Sequence, residues 1–136
     1  MKKLLRGILL LSTGLFSLTG QVQAEVAVII SPSSDKTLSQ AEIANIFLGK
    51  DKSLQGIDLK DWNQTKLTFY KEITSKDEAQ LKSYWSSLVF TGKGQPLKEF
   101  SSDSEIVQQV AAGNNVIGYV DAQAVTDAVK VLLTLQ

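Results

Sequence analysis

Neither cysteine nor histidine occurs among the 136 residues. The first absence excludes disulfides, thiolate nucleophiles and thiolate metal sites. The second removes the side chain that most often acts as general base and the commonest transition-metal ligand. Most hydrolase, oxidoreductase and zinc-enzyme classes fall with them. An excess of charge is lacking as well, with 14 basic against 14 acidic side chains. Three of the basic residues, Lys2, Lys3 and the only arginine, Arg6, sit at the extreme N-terminus; without them 11 lysines face 14 acids. A mildly acidic chain has no basic stripe for phosphate-backbone contacts, so nucleic acid is not an expected partner.

What is present begins with a targeting signal. Lys2, Lys3 and Arg6 precede an apolar stretch from Ile8 to Leu18, and Val22-Gln23-Ala24 follows. Basic start, apolar middle and V-x-A end predict a Sec-type signal peptide over residues 1–24, cleaved before Glu25. The apolar stretch falls short of the roughly 20 residues a membrane-spanning helix needs, and Gln21 and Gln23 follow it directly. An uncleaved anchor is the alternative, although no cysteine follows to accept a lipid. The expected destination is the periplasm, with one domain over residues 25–136.

The pattern along that domain alternates. Val26 to Ile30 is a continuous apolar run and reads as a strand buried on both faces. Ser39-Gln40-Ala41-Glu42 is a capping box opening a helix that buries Ile43, Ile46 and Phe47, and Gly49 supplies its left-handed stop. Ile57 and Leu59 mark a short half-exposed strand, and Phe69 and Ile73 a short helix. Ser75-Lys76-Asp77-Glu78 reads as a second capping box, before Leu81, Tyr84, Trp85 and Leu88 on one helical face. Ser102-Asp103-Ser104-Glu105 opens a helix burying Ile106, Val107 and Val110. Val116 to Val120 is a strand in which Gly118 implies close approach of a neighbouring backbone. Asp121 then caps a helix over 122–128, and 129–135 form a last strand. The fold class is therefore α/β, with a mostly parallel central sheet of about four strands flanked by helices.

Chemical motifs are sparse. Ser33 and Ser34 follow the first strand, where a parallel sheet presents ligands; as anion donors they compete with an ordinary serine turn. Gly92-Lys93-Gly94 lacks the full phosphate-loop spacing and follows a helix where a strand is required. Ser33 to Lys36 fits Ser-x-x-Lys, but its loop setting favours coincidence. Asp58, Asp61, Asp77 and Asp103 form no close carboxylate pair on a predicted face, so no oxygen-ligand metal site or glycosidase pair is indicated. Trp85 reads as core, and Trp62 as half-buried packing or a pocket wall. No enzymatic activity, cofactor or metal is expected.

Four stretches carry a resemblance: Leu38-Ser39-x-x-Glu42-Ile43-x-x-Ile46-Phe47-x-Gly49; Tyr84-Trp85-x-x-Leu88-x-Phe90-Thr91-Gly92-Lys93-Gly94-x-Pro96; Glu105-x-Val107-x-x-Val110; and Ile117-Gly118-Tyr119-Val120. In this order they resemble the phosphate-binding proteins of phosphate ABC transporters, and most of all the small single-lobe members. The resemblance implies one lobe of a periplasmic-binding-protein fold and non-catalytic binding of phosphate or another small oxyanion. It also implies partnership with an ABC permease or another envelope protein, and pairing of two copies to enclose the ligand. It places anion contacts at Gln64, Thr65 and Lys66, ahead of the Phe69 helix, where free backbone N–H groups and the helix dipole favour phosphate. The family's arginine and Ser-Gly-Thr turn have no counterpart here, which leaves Lys66 as a point charge. The alternative is a single-lobe protein-interaction or accessory module that has lost anion binding, or else the Gln64–Lys66 segment is a plain helix cap.

Overall fold

A computed structural model describes residues 25–136; the expected signal peptide and its cleavage site lie outside the described residues. The described chain runs β1 (Val26–Ile30), α1 (Gln40–Phe47), β2 (Gln55–Leu59), α2 (Gln64–Thr74), α3 (Glu78–Phe90), β3 (Lys98–Phe100), α4 (Asp103–Ala112), β4 (Val116–Asp121), a 3-10 turn (Ala122–Ala124) and β5 (Lys130–Leu135). The α/β class stands. Among the described residues no helix is long and apolar enough to cross a membrane.

Polar side chains set the helix starts. Ser39 accepts the Glu42 N–H at 3.2 Å to open α1, and Ser102 accepts the Glu105 N–H at 3.2 Å to open α4. At α2 the Asn63 carboxamide oxygen accepts the Lys66 N–H at 2.9 Å. The expected box at Ser75 is corrected by the structure. Ser75 is the left-handed cap that ends α2, with φ 59°, and the box that opens α3 is Asp77 with Gln80, each accepting the other's backbone N–H. With only Lys76 between the two caps, one serine cannot both end the first helix and open the second.

The sheet has the order β3-β2-β4-β1-β5. It is mixed rather than mostly parallel: β2 runs parallel to β3 and to β4, while β1 runs antiparallel to β4 and to β5. The first strand is buried throughout, as its composition requires, because it lies between β4 and β5 and is covered on its faces. β3 is a fifth strand that three residues of Lys-Glu-Phe, with no apolar alternation, did not announce. The expected helix over 122–128 is reduced to a 3-10 turn, after which the chain reverses into β5. β2, expected to be half exposed, is an inner strand whose Gly56 to Leu59 are all buried.

Two glycines carry geometric constraints. Gly49, at φ +74°, ends α1, and a Cβ there would come within 3.1 Å of the Trp85 ring. At Gly118 side chains, and not the expected neighbouring backbone, make the close approach: a Cβ would lie 2.8 Å from Ile106 Cγ2 and 3.3 Å from Ile57 and Val110. That vacancy seats α4 on the sheet. On α2's side an aromatic stack fills the core, with Phe69 and Tyr119 parallel at 3.9 Å between ring centres and Phe47 edge-on to Phe69 at 4.6 Å.

Candidate functional site

The five anticipated ligand residues do not converge. Ser33 and Ser34 leave the carboxyl end of β1, whose last residue, Ile30, pairs with Ile117 at the start of β4. Gln64, Thr65 and Lys66 follow the carboxyl end of β2, which runs with β4 and therefore points the other way. The two groups lie at opposite ends of the sheet, and no small anion touches both. The serine turn is also largely self-satisfied: the Ser31 and Ser33 hydroxyls are 2.9 Å apart, the Ser34 N–H donates to Ser31 O at 3.0 Å, and Ser34 Oγ accepts the Lys36 N–H at 3.4 Å.

At the other end, α2 begins beyond β2 with Asn63 as its cap. The N–H groups of Gln64 and Thr65 are in the first turn, ahead of the first intrahelical acceptors, and point outward from the helix start. Thr65 is buried, and Gln64 is exposed with its amide donating to Thr68 Oγ1 at 3.3 Å. Lys66 does not extend to solvent. Its side chain is only 4% exposed, and Nζ donates to Leu59 O at 2.6 Å, lies 3.4 Å from Asp58 Oδ2 and 3.6 Å from Glu99 Oε2, and sits 4.8 Å from the centre of the Trp62 ring.

Asp58 is the centre of this cluster, and neither the aspartate nor its donors Tyr70 and Tyr119, nor Glu99 on the other side of Lys66, were anticipated in any functional role. It is buried and accepts hydrogen bonds from the Tyr70 hydroxyl at 2.8 Å and from the Tyr119 hydroxyl, which in turn accepts the Leu59 N–H at 3.3 Å. Burial first, and the Asp58 charge second, hold both phenols well above their ordinary pKa, so they remain donors at any physiological pH. Among the described residues no buried side-chain nitrogen or oxygen lacks a partner. The sequence carried a partial signal. Lys66 and Tyr70 are four apart, hence on one face of α2, and an aspartate between Ile57 and Leu59 inside an apolar strand needs a buried cation or donors.

The cluster forms the floor of an open cleft of about 760 Å³. α3 supplies one wall through Trp85, Val89 and Phe90, and Trp62, Pro96 and Leu97 line the rest. A second, larger cleft of about 1000 Å³ lies between the loop after α1 and the loop after α3, where Lys50, Lys52, Lys93 and Lys98 line it as exposed residues. It has no buried charge at its base, and the Gly92–Gly94 loop forms part of its rim without any phosphate-loop geometry.

With strand order, helix placement and cleft in hand, the fold can be compared with solved structures. Over 81% of this chain, at a TM-score of 0.61 and 13% identity, it superposes on an ABC-type phosphate transport receptor from Vibrio cholerae. Over 80%, at 0.57 and 21% identity, it superposes on a protein of Clostridium perfringens described as a phosphate ABC transporter substrate-binding protein and solved with phosphate bound. The fold matches one lobe of a periplasmic-binding-protein fold. The lobe spans less than half of either protein, 46% and 45% of their chains. No protein-family model matches the sequence, and no curated protein matches it. At these identities the likeness is one of fold, and the lobe's own residues must carry any argument about ligand.

Proposed function

We propose that the protein is a non-catalytic, exported solute-binding protein that holds phosphate or a similar small oxyanion at the N-terminus of α2 and serves an ABC permease or another envelope protein. The observation that carries this reading is the placement of the α2 start, with the Gln64 and Thr65 N–H groups, beyond the carboxyl end of inner strand β2, in a lobe that shares its fold with a protein solved with phosphate bound. Unpaired N–H groups and the positive end of a helix dipole favour an anion there. Lys66 contributes long-range charge only, since Asp58 and Glu99 hold it inward. Ser33 and Ser34 have no part in this site. Affinity is expected to be weak, because one lobe leaves much of the ligand in water.

Calorimetric titration with phosphate tests the reading, with Gln64→Pro as the diagnostic variant. Gln64 is the first helical residue and Asn63 is extended, at φ −86° and ψ −179°. Proline is tolerated at that position and removes one N–H donor without disturbing the helix. Saturable binding that weakens roughly tenfold in the variant, the loss of one charge-assisted hydrogen bond, is the expected result. Absence of heat at millimolar phosphate, or equal binding by the variant, would remove the site.

A second reading, an envelope accessory module that no longer captures anions, is favoured by one observation: the only cation in the first turn of α2 is already neutralised from within the protein. The same titration separates the two.

A further inference from the structure

We infer that the C-terminal tip of α3 is a membrane-contact site, at which Phe90 enters the headgroup layer of an anionic lipid surface and the lysines around it meet the lipid phosphates. This inference goes beyond the ligand reading and does not depend on it.

The tip stands clear of the protein. Phe90, the last residue of α3, is 92% exposed, and Val89 beside it is 51% exposed. A Cβ at Gly92, where φ is +69°, would meet no atom within 4 Å. The tip is nevertheless held in shape. Thr91 Oγ1 donates to Ser87 O at 2.9 Å, the Lys93 N–H donates to Leu88 O at 2.9 Å, and the Tyr84 hydroxyl anchors the helix behind them on Leu48 O at 2.6 Å. A fixed, protruding aromatic ring keeps its apolar area in water unless a second surface covers it.

Charge selects that surface. Trp85, Val89, Pro96 and Leu97 line both clefts described above, so the two adjoin at the end of α3. Seven of the eleven lysines in residues 25–136 line these clefts, against three of the fourteen carboxylates. The rest of the domain keeps four lysines and eleven acids, and the chain's slight overall acidity conceals the segregation. Lys66 and Lys82 are paired with carboxylates. Lys50, Lys52, Lys60, Lys93 and Lys98 are exposed, and among the described residues none of them has a carboxylate within ion-pair distance.

A lipid surface fits this arrangement better than a free anion or an acidic protein. The five lysines come from four separate segments: the loop after α1, the β2–α2 turn, the loop after α3, and β3. They surround a projecting apolar tip, whereas a small anion needs donors aimed at one point. A membrane offers both parts of the complement at once, an apolar layer for the ring and a plane of negative charge around it. An acidic protein would need a pocket for Phe90 as well as the charge.

The test is co-sedimentation of residues 25–136 with vesicles. That span holds every described element and its core, and it omits the apolar stretch from Ile8 to Leu18, which would enter lipid by itself. The vesicles are phosphatidylglycerol mixed with phosphatidylcholine, or phosphatidylcholine alone. Binding to the mixed vesicles that weakens with added salt, and little binding to phosphatidylcholine, is the expected result. Phe90→Ser should weaken it roughly tenfold through the loss of one buried ring. Lys93→Glu should weaken it roughly thirtyfold, since one favourable charge is lost and one unfavourable charge is gained. Both side chains are exposed, so the variants fold. Lys130→Glu makes the same change of charge on β5, at the sheet edge opposite β3, and should leave binding within about twofold. Equal binding to both kinds of vesicle, full binding by Phe90→Ser, or a loss in Lys130→Glu as large as in Lys93→Glu would overturn the inference. So would no binding to the mixed vesicles at low salt, which would leave an acidic protein as the partner this face fits.

Discussion

Replacing Lys66 by methionine tests whether this lysine belongs to the protein's own core. Methionine fills the same channel with an unbranched chain and removes the charge. The loss comprises the hydrogen bond to Leu59 O at 2.6 Å and the contacts to Asp58 and Trp62. Asp58 then keeps its two tyrosine donors but is left as a buried carboxylate without a cation. Breaking a buried pair from one side costs about 3–5 kcal/mol, a large part of the 5–15 kcal/mol that stabilises a typical domain. With a urea m-value of about 1.5 kcal/mol/M, the midpoint falls by about 2–3 M. Equilibrium unfolding followed by tryptophan fluorescence measures it. Glu99→Gln is the internal comparison: the Glu99 side chain is 46% exposed and sits 3.6 Å from Lys66, so its loss costs under about 1 kcal/mol. A Lys66→Met shift of less than 1 kcal/mol, or one equal to that of Glu99→Gln, would refute the claim that Asp58 and Lys66 form a buried structural pair.

Two further outcomes follow from the same core. Tyr70 and Tyr119 have pKa values raised well above 10.0 in the folded protein, so between pH 10 and those values the unfolded chain loses protons that the folded chain keeps. Stability is therefore fully present below pH 10 and falls above it, by about 1.4 kcal/mol per pH unit for each phenol; urea midpoints at pH 9, 10 and 11 measure the slope, and Tyr119→Phe should halve it. Gly118→Ala places a methyl 2.8 Å from Ile106 Cγ2, which α4 cannot relieve without moving off the sheet; a loss of about 1–3 kcal/mol is expected from thermal unfolding.

Local chemistry fixed most of the elements of this protein, β3 and the turn after β4 excepted. Val26 to Ile30 is a buried strand because five consecutive apolar residues have no polar side to turn outward. The starts at Ser39 and Ser102 and the stop at Gly49 are where capping geometry requires them. The Ile106, Val107 and Val110 face was equally legible, since it depends on residues within about one turn, whereas the side chains that require glycine at 118 come from α4 and β2 and only the tertiary structure brings them there. The α/β class could also be read from the alternation of strand and helix.

Strand direction could not. Whether β1 runs with or against β4 depends on a pairing between residues 95 positions apart, Val26 with Asp121. That choice moved Ser33 and Ser34 to the far end of the sheet from Gln64. The short β3 has no pattern of its own and exists because β2 offers it an edge. Lys66 reads in the sequence as a solvent-facing cation at a helix start. Only the approach of Asp58 and the Leu59 carbonyl on β2 and of Glu99 on β3 turns it inward, because a buried carboxylate with no cation is more costly than a lysine drawn out of water.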